Sequence, residues 1–303
     1  MGIKARHYAD ILAGVPEYVT GRQEEWKAFL TTAARNYKYP YYDQLMIYLQ
    51  RPEATACAEY DFWFDTMHRY VKRGAKGIAL VDNEGDSPKL RYVFDVEDTG
   101  ARSNSRPVWL WQMKEEYRNP VMAALERAYG ISGENQSLEA QLEQVAGSLA
   151  ADYWLNYGRQ IRGIVADSFL EEYDEFNIGT VFRKAAQASI AYTLSVRCTE
   201  EGENQFEPED FRDVSDFNTR QTATALGTAV SSISGEVFRE IERAIRDYER
   251  TKAQERSQNY AERNNIQTGR GLSASGDRTE RDHGETSGQI RKDAQGISEG
   301  EQS

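Results

Sequence analysis

Leu226, Val230, Ile233, Val237, Ile241, Ile245 and Tyr248 recur at steps of three or four residues. That spacing puts all of them on one face of an α-helix. A helix this long with one apolar face must lay it against other structure, so the chain has to build a core around it. Core packing accounts for the stripe more simply than a coiled-coil seam or a partner-binding face. With 39% of its 303 residues hydrophobic, the chain has enough apolar surface to form that core over most of its length.

The same rhythm appears upstream. Trp26, Phe29, Leu30, Ala33 and Tyr37 share one helical stripe. Pro40 suits the first turn of a second helix, PYYDQLMIYLQ, which Pro52 ends. EYDFWFDTM reads as a short third helix that carries Trp63 inward. Beyond residue 100 the chain looks wholly helical. Tyr129-Gly130 marks a glycine stop, Leu138, Leu142, Val145, Leu149 and Tyr153 step along another stripe, and NIGTVFRKAAQASIAYTLSVRC follows as a further apolar helix. Two runs read as strands, GIALV (77–81) and LRYVFDV (90–96), rich in branched and aromatic residues. The turn-rich DNEGDSPK joins them as an antiparallel pair.

Charge divides the chain into three zones. Residues 1–100 hold 13 Lys+Arg against 15 Asp+Glu, residues 101–252 hold 17 against 25, and residues 253–303 hold 7 against 9. The last zone has almost no apolar residues and cannot offset chain entropy by burial, so disorder is expected there. The expected fold is α+β. A small mixed N-terminal domain with a short antiparallel sheet spans 1–100, an all-α domain spans 101–252, and a disordered polar tail spans 253–303.

Several function classes drop out. Cys57 and Cys198 lie far apart with no C-x-x-C and read as buried free thiols. His7, His68 and His283 are isolated, outside H-E-x-x-H or any similar spacing, so no metal site is expected. There is no P-loop, G-x-G-x-x-G or G-x-S-x-G. The pairs Glu171/Glu172 and Asp174/Glu175 read as a solvated helix end rather than acid–base machinery. The expectation is a non-catalytic protein without a cofactor. The opening MGIKARHYADILAG lacks the apolar run of a signal peptide, and no stretch approaches bilayer-spanning length. A cytoplasmic location with no membrane partner is therefore expected.

Against a net charge of −12, the run HRYVKRGAKG (68–77) holds Arg69, Lys72, Arg73 and Lys76 and no acid. Gly74 and Gly77 hinge it. Cations and backbone N–H groups around such a turn form an anion-binding edge, and phosphate contacts of this kind give affinity without sequence information. A solvated charge run leading into a strand looks the same locally. Tyr41, Tyr42, Tyr48, Trp63 and Tyr70 lie close by in sequence, and Arg51 stands where the chain turns before Pro52. Rings interleaved with cations are what single-strand binders use, although rings at helical spacing also fill cores. The candidate binding residues are Arg69, Lys72, Arg73, Lys76, Gly74, Gly77 and Arg51, with Tyr42 and Trp63 as stacking rings.

The order of these pieces resembles the N-terminal single-stranded-DNA-binding domain of ArdC-type antirestriction proteins. The resemblance rests on Tyr42–Leu45, Gln50–Pro52, Val71–Ile78 and Val93–Thr99, within residues 5–100. It implies a single-stranded-DNA-binding protein of a conjugative or mobile element, with DNA-processing proteins of the conjugative machinery as further partners. More loosely, the chain resembles the opening of very large conjugative-element proteins that continue into helicase or methylase-like regions. It departs from the family in lacking H-E-x-x-H, so residues 101–252 cannot inherit a metalloprotease site. Ala75 stands where a glutamate is common, which leaves the turn more basic. The competing expectation is an acidic DNA mimic, a protein-binding inhibitor or a structural adaptor acting through 101–252.

Overall fold

The structure, a computed structural model, describes residues 3–82, 89–200, 202 and 205–273. Seven α-helices form where apolar stripes recur: α1 Ile3–Thr20, α2 Gln23–Arg35, α3 Tyr41–Gln50, α4 Glu115–Tyr129, α5 Leu138–Arg162, α6 Glu175–Cys198 and α7 Arg220–Ser273. Local chemistry sets their ends. Ser137 and Asp174 cap α5 and α6 by accepting from the amides of Ala140 and Asn177. Gly130 ends α4 in the left-handed conformation, φ 70°. α3 starts after Pro40 and stops at Gln50, before Pro52.

The stripe on α7 is core. Leu226, Val230, Ile233, Val237, Ile241 and Ile245 are all buried. They share one continuous cluster with Trp26, Phe29 and Leu30 of α2 and with Phe182 and Ile190 of α6. Polar bonds cross the same space: Trp26 Nε1 donates to Ser189 Oγ at 2.9 Å, and Thr20 Oγ1 to the Phe217 carbonyl at 2.9 Å. Contacts group the chain up to Thr251 into one compact unit, distinct from the part that begins at Lys252. The expected boundary near residue 100 therefore has no counterpart in the packing, because the apolar face of α2 is covered by helices from beyond it. Only the first part of the expected tail, 253–303, is described. Residues 253–273 are helical as the end of α7, and 274–303 lie outside the described residues.

Five strands form two antiparallel sheets. β1 (Cys57–Glu59), β4 (Lys89–Asp95) and β3 (Ile78–Asp82) make one in the order β1-β4-β3. β2 (Arg69–Val71) and β5 (Thr99–Ala101) make the other. The expected pair is present as β3 and β4, with Ile78 opposite Val93; residues 83–88 of its connection lie outside the described residues. The free edge of β3 is closed by a side chain, since Gln50 donates to the Ala79 carbonyl at 2.8 Å and accepts from the Ala79 amide at 2.9 Å. Arg91 of β4 pairs with the buried Asp43 of α3 and ties the sheet to the helices. The expected third helix is one π-type turn, Phe62–Thr66, and it does carry Trp63 inward.

Candidate nucleic-acid interface

The basic run is split between two structures. Its first residues, Arg69–Val71, are strand β2, and the turn follows. The Ala75 amide closes on the Lys72 carbonyl at 3.1 Å, with Gly74 at φ 86°. That is the third position of a β-turn, where positive φ selects glycine. No atom lies within 4 Å of where a Gly74 Cβ would sit, so backbone conformation rather than space calls for glycine. Gly77 does the reverse. A Cβ there would lie 3.1 Å from the Phe94 ring and 3.2 Å from Tyr92 Cβ, so Gly77 serves packing onto β4.

The cations divide in the same way. Arg69 Nε donates to Thr99 Oγ1 at 2.8 Å across the β2–β5 pair. Lys72 is anchored by its amide to the Asp98 carbonyl at 2.8 Å and by Nζ to the Glu97 carbonyl at 2.7 Å. Both partners are uncharged carbonyls, and the side chain is exposed. Arg73 and Lys76 are exposed on either side of Gly74. Among the described residues no carboxylate lies within ion-pair distance of Lys72, Arg73 or Lys76.

Arg51 corrects the sequence reading. Its guanidinium meets Asp98 at 2.5 Å, Glu53 at 3.4 Å and Glu97 at 3.5 Å, with 20% of the side chain exposed. The hydrogen bond it donates to Asp98, with the nearby acids, holds its pKa above the ordinary arginine value despite burial. Arg51 is thus engaged by three carboxylates, two of them on the Glu97–Asp98 segment whose carbonyls also hold Lys72. Buried Asp95 also holds this segment, accepting from the amides of Thr55 at 2.7 Å, Ala56 at 2.9 Å and Glu97 at 2.9 Å.

The two expected stacking rings are used inside the protein. Trp63 is 2% exposed and donates to the Phe94 carbonyl at 2.9 Å. Tyr42 turns toward α7, where its hydroxyl shares a hydrogen bond of 3.0 Å with Thr224. Other rings stand outside. Tyr60, Phe62, Phe64 and Tyr70 are 40–48% exposed. Tyr60 and Phe64 stack nearly parallel, 5.9 Å between centroids. The exposed Arg102 lies 4.8 Å from the Phe64 centroid and 5.9 Å from that of Tyr70. Tyr70 lies flat across Gly100, its partner on β5, where a Cβ would come within 2.2 Å of the ring. Tyr60, Phe64, Arg102 and Tyr70 are thus one chain of contacts, and Tyr70 leads through Val71 directly into the turn. The sequence did carry a signal for this: once the central ring of FWF points inward, the two flanking rings of a tight turn face out.

The acids of 171–175 do not form a row. Glu171 accepts from the Asp167 amide at 2.9 Å, Asp174 caps α6 and Glu175 pairs with Arg162. Among the described residues there is no cluster of three metal-ligating side chains, and no helix is long and apolar enough to cross a membrane. No protein-family model matches the chain, and no curated protein or solved structure is significantly similar to it.

Proposed function

We propose that this chain is a non-catalytic single-strand-binding protein whose partner is single-stranded DNA. One observation carries the reading: exposed rings, Tyr60, Phe64 and Tyr70 with Arg102 between them, run into a turn whose cations Lys72, Arg73 and Lys76 have no acidic partner among the described residues. Bases have π-faces that stack on such rings irrespective of sequence, while the phosphates follow the cations. The rings offer open stacking faces, which an unpaired strand can meet with its bases and a duplex, whose bases are already stacked inside, cannot. The ArdC-like order of motifs supports the same reading and implies service on a conjugative or mobile element. Acidity over the rest of the surface confines a polyanion to this one edge.

The test is fluorescence anisotropy with a labelled oligonucleotide and a duplex of equal length over a salt series. Preference for the single strand with log K falling at a slope of about −2 to −3, as three or four phosphate contacts give, is the expected result. Equal binding to the duplex, or none at low salt, overturns the proposal.

A further inference from the structure

A cleft of about 100 Å³ opens on another part of the molecule, between the α2–α3 connection, β1, the irregular segment before α4, and helices α6 and α7. Its walls are largely aromatic, with Tyr39, Trp109 and Trp111 among them, and Arg197 of α6 lines it. Arg197 is a half-buried cation that pairs with no acid among the described residues. Its terminal nitrogens donate to the carbonyls of Ala34 at 3.3 Å and Trp111 at 3.4 Å. Its guanidinium carbon lies 4.1 Å from the Trp111 centroid and 5.2 Å from that of Tyr37. Its Nε, sealed from solvent, has no hydrogen-bond partner among the described residues.

Buried guanidinium groups ordinarily face a carboxylate. The one acid lining this cleft, Glu242, is already saturated. It accepts from Tyr37 Oη at 2.5 Å, Lys38 Nζ at 3.0 Å and Arg246 Nη2 at 2.7 Å. Arg35 and Lys38 line the same cleft, so its charge is positive within an acidic protein. Lys38 and Leu110 are exposed where they line it, so the cleft is open to solvent there.

We infer that this cleft is a binding site for a small planar carboxylate, the acid meeting Arg197 and the ring lying among the tryptophan and tyrosine walls. A carboxylate brings two oxygens and one negative charge, which match the second N–H that each terminal nitrogen of Arg197 keeps beyond its bond to a carbonyl. A single ring suits the size, since a cavity of about 150 Å³ holds benzene and this one opens to solvent. Cys57 also lines the cleft. Burial, with the charge of Asp95 adding to it, pushes its thiol up to about 12, so the thiol stays neutral and the site binds without a covalent step. The inference stands apart from the nucleic-acid reading and shares none of its residues.

Benzoate is the probe, followed by calorimetry and by tryptophan fluorescence, which Trp109 and Trp111 report. Saturable binding with Kd of about 0.1–1 mM is expected for a ligand of this size. Arg197→Gln weakens it at least tenfold while oligonucleotide binding stays unchanged. If Arg197→Gln fails to fold, Lys38→Gln, on an exposed side chain, weakens binding several-fold in a protein that still folds and melts cooperatively, with only the small loss expected from its bond to Glu242. No saturable signal up to about 10 mM benzoate, equal affinity in the folded variants, or tighter binding of inorganic phosphate than of benzoate overturns the inference.

Discussion

Two sets of aromatic residues sit on opposite sides of the same chain segment and behave as opposites. In α2 and α3, Trp26, Phe29 and Tyr41 are at most 3% exposed and touch one another at 5.4–5.7 Å. Around β2 and β5, Tyr60, Phe64 and Tyr70 are at least 40% exposed and touch one another only through each other and Arg102. The arginines divide likewise. Arg51 meets three carboxylates, whereas Arg102 meets ring faces. Residue type does not separate the two sets. Partners do: a ring or cation whose contacts are all satisfied inside serves stability, and one held in place yet left open is available to a ligand.

The contrast is breakable from both sides, and the largest effect belongs to the interior. Trp26→Ala should cost about 3–5 kcal/mol in chemical denaturation, from cavity formation and loss of the Ser189 bond. If it left the unfolding midpoint unchanged, α2 would not be core. Asp95→Ala comes next. It strips the acceptor from three amides, and a loss of about 3 kcal/mol is expected, with DNA affinity falling only as the turn loosens.

On the open side, Phe64→Ala combined with Tyr70→Ala should leave the melt within about 0.5 kcal/mol of the parent. The same pair should weaken single-strand binding by about 1–3 kcal/mol per lost stack. A titration curve unaltered by the double variant would remove the rings from the interface. Smaller again is Lys76→Gln, expected to lower the magnitude of the salt slope by about 0.7 without changing stability. The smallest effect concerns pH. Burial tends to raise the Glu242 carboxyl, but hydrogen bonds from Tyr37, Lys38 and Arg246 outweigh it and hold its pKa below the ordinary value. A depressed carboxyl contributes its full stability above the unfolded value of about 4.3 and loses it as pH falls through the lower folded value. Acid melts of the parent and Glu242→Gln should therefore converge as pH drops below that point.

The motif string on which the resemblance rests is mostly scaffold. Asp43 pairs with Arg91, Gln50 closes the β3 edge, Arg51 and Asp95 hold the Glu97–Asp98 segment, and Thr99 accepts from Arg69. Only Lys72, Arg73 and Lys76 of that string remain open to a ligand. A reader of sequence sees such a string because fasteners need fixed residue types at fixed places. For the same reason the fold was more legible than the site.

By itself the sequence determined helices α2 to α7, the β3–β4 pair, the inward Trp63, the stop at Gly130 and the glycine-hinged turn, while α1 went unread. Each follows from backbone geometry over a few residues, where side-chain period and positive φ leave their mark on residue choice. Tertiary structure alone decided that residues 1–100 share a core with α6 and α7, that Arg51 is spent on Glu97 and Asp98, and that Tyr42 is spent on Thr224 of α7. Those outcomes depend on which groups stand opposite after the chain has closed on itself, and contacts between residues tens of positions apart leave no period to read.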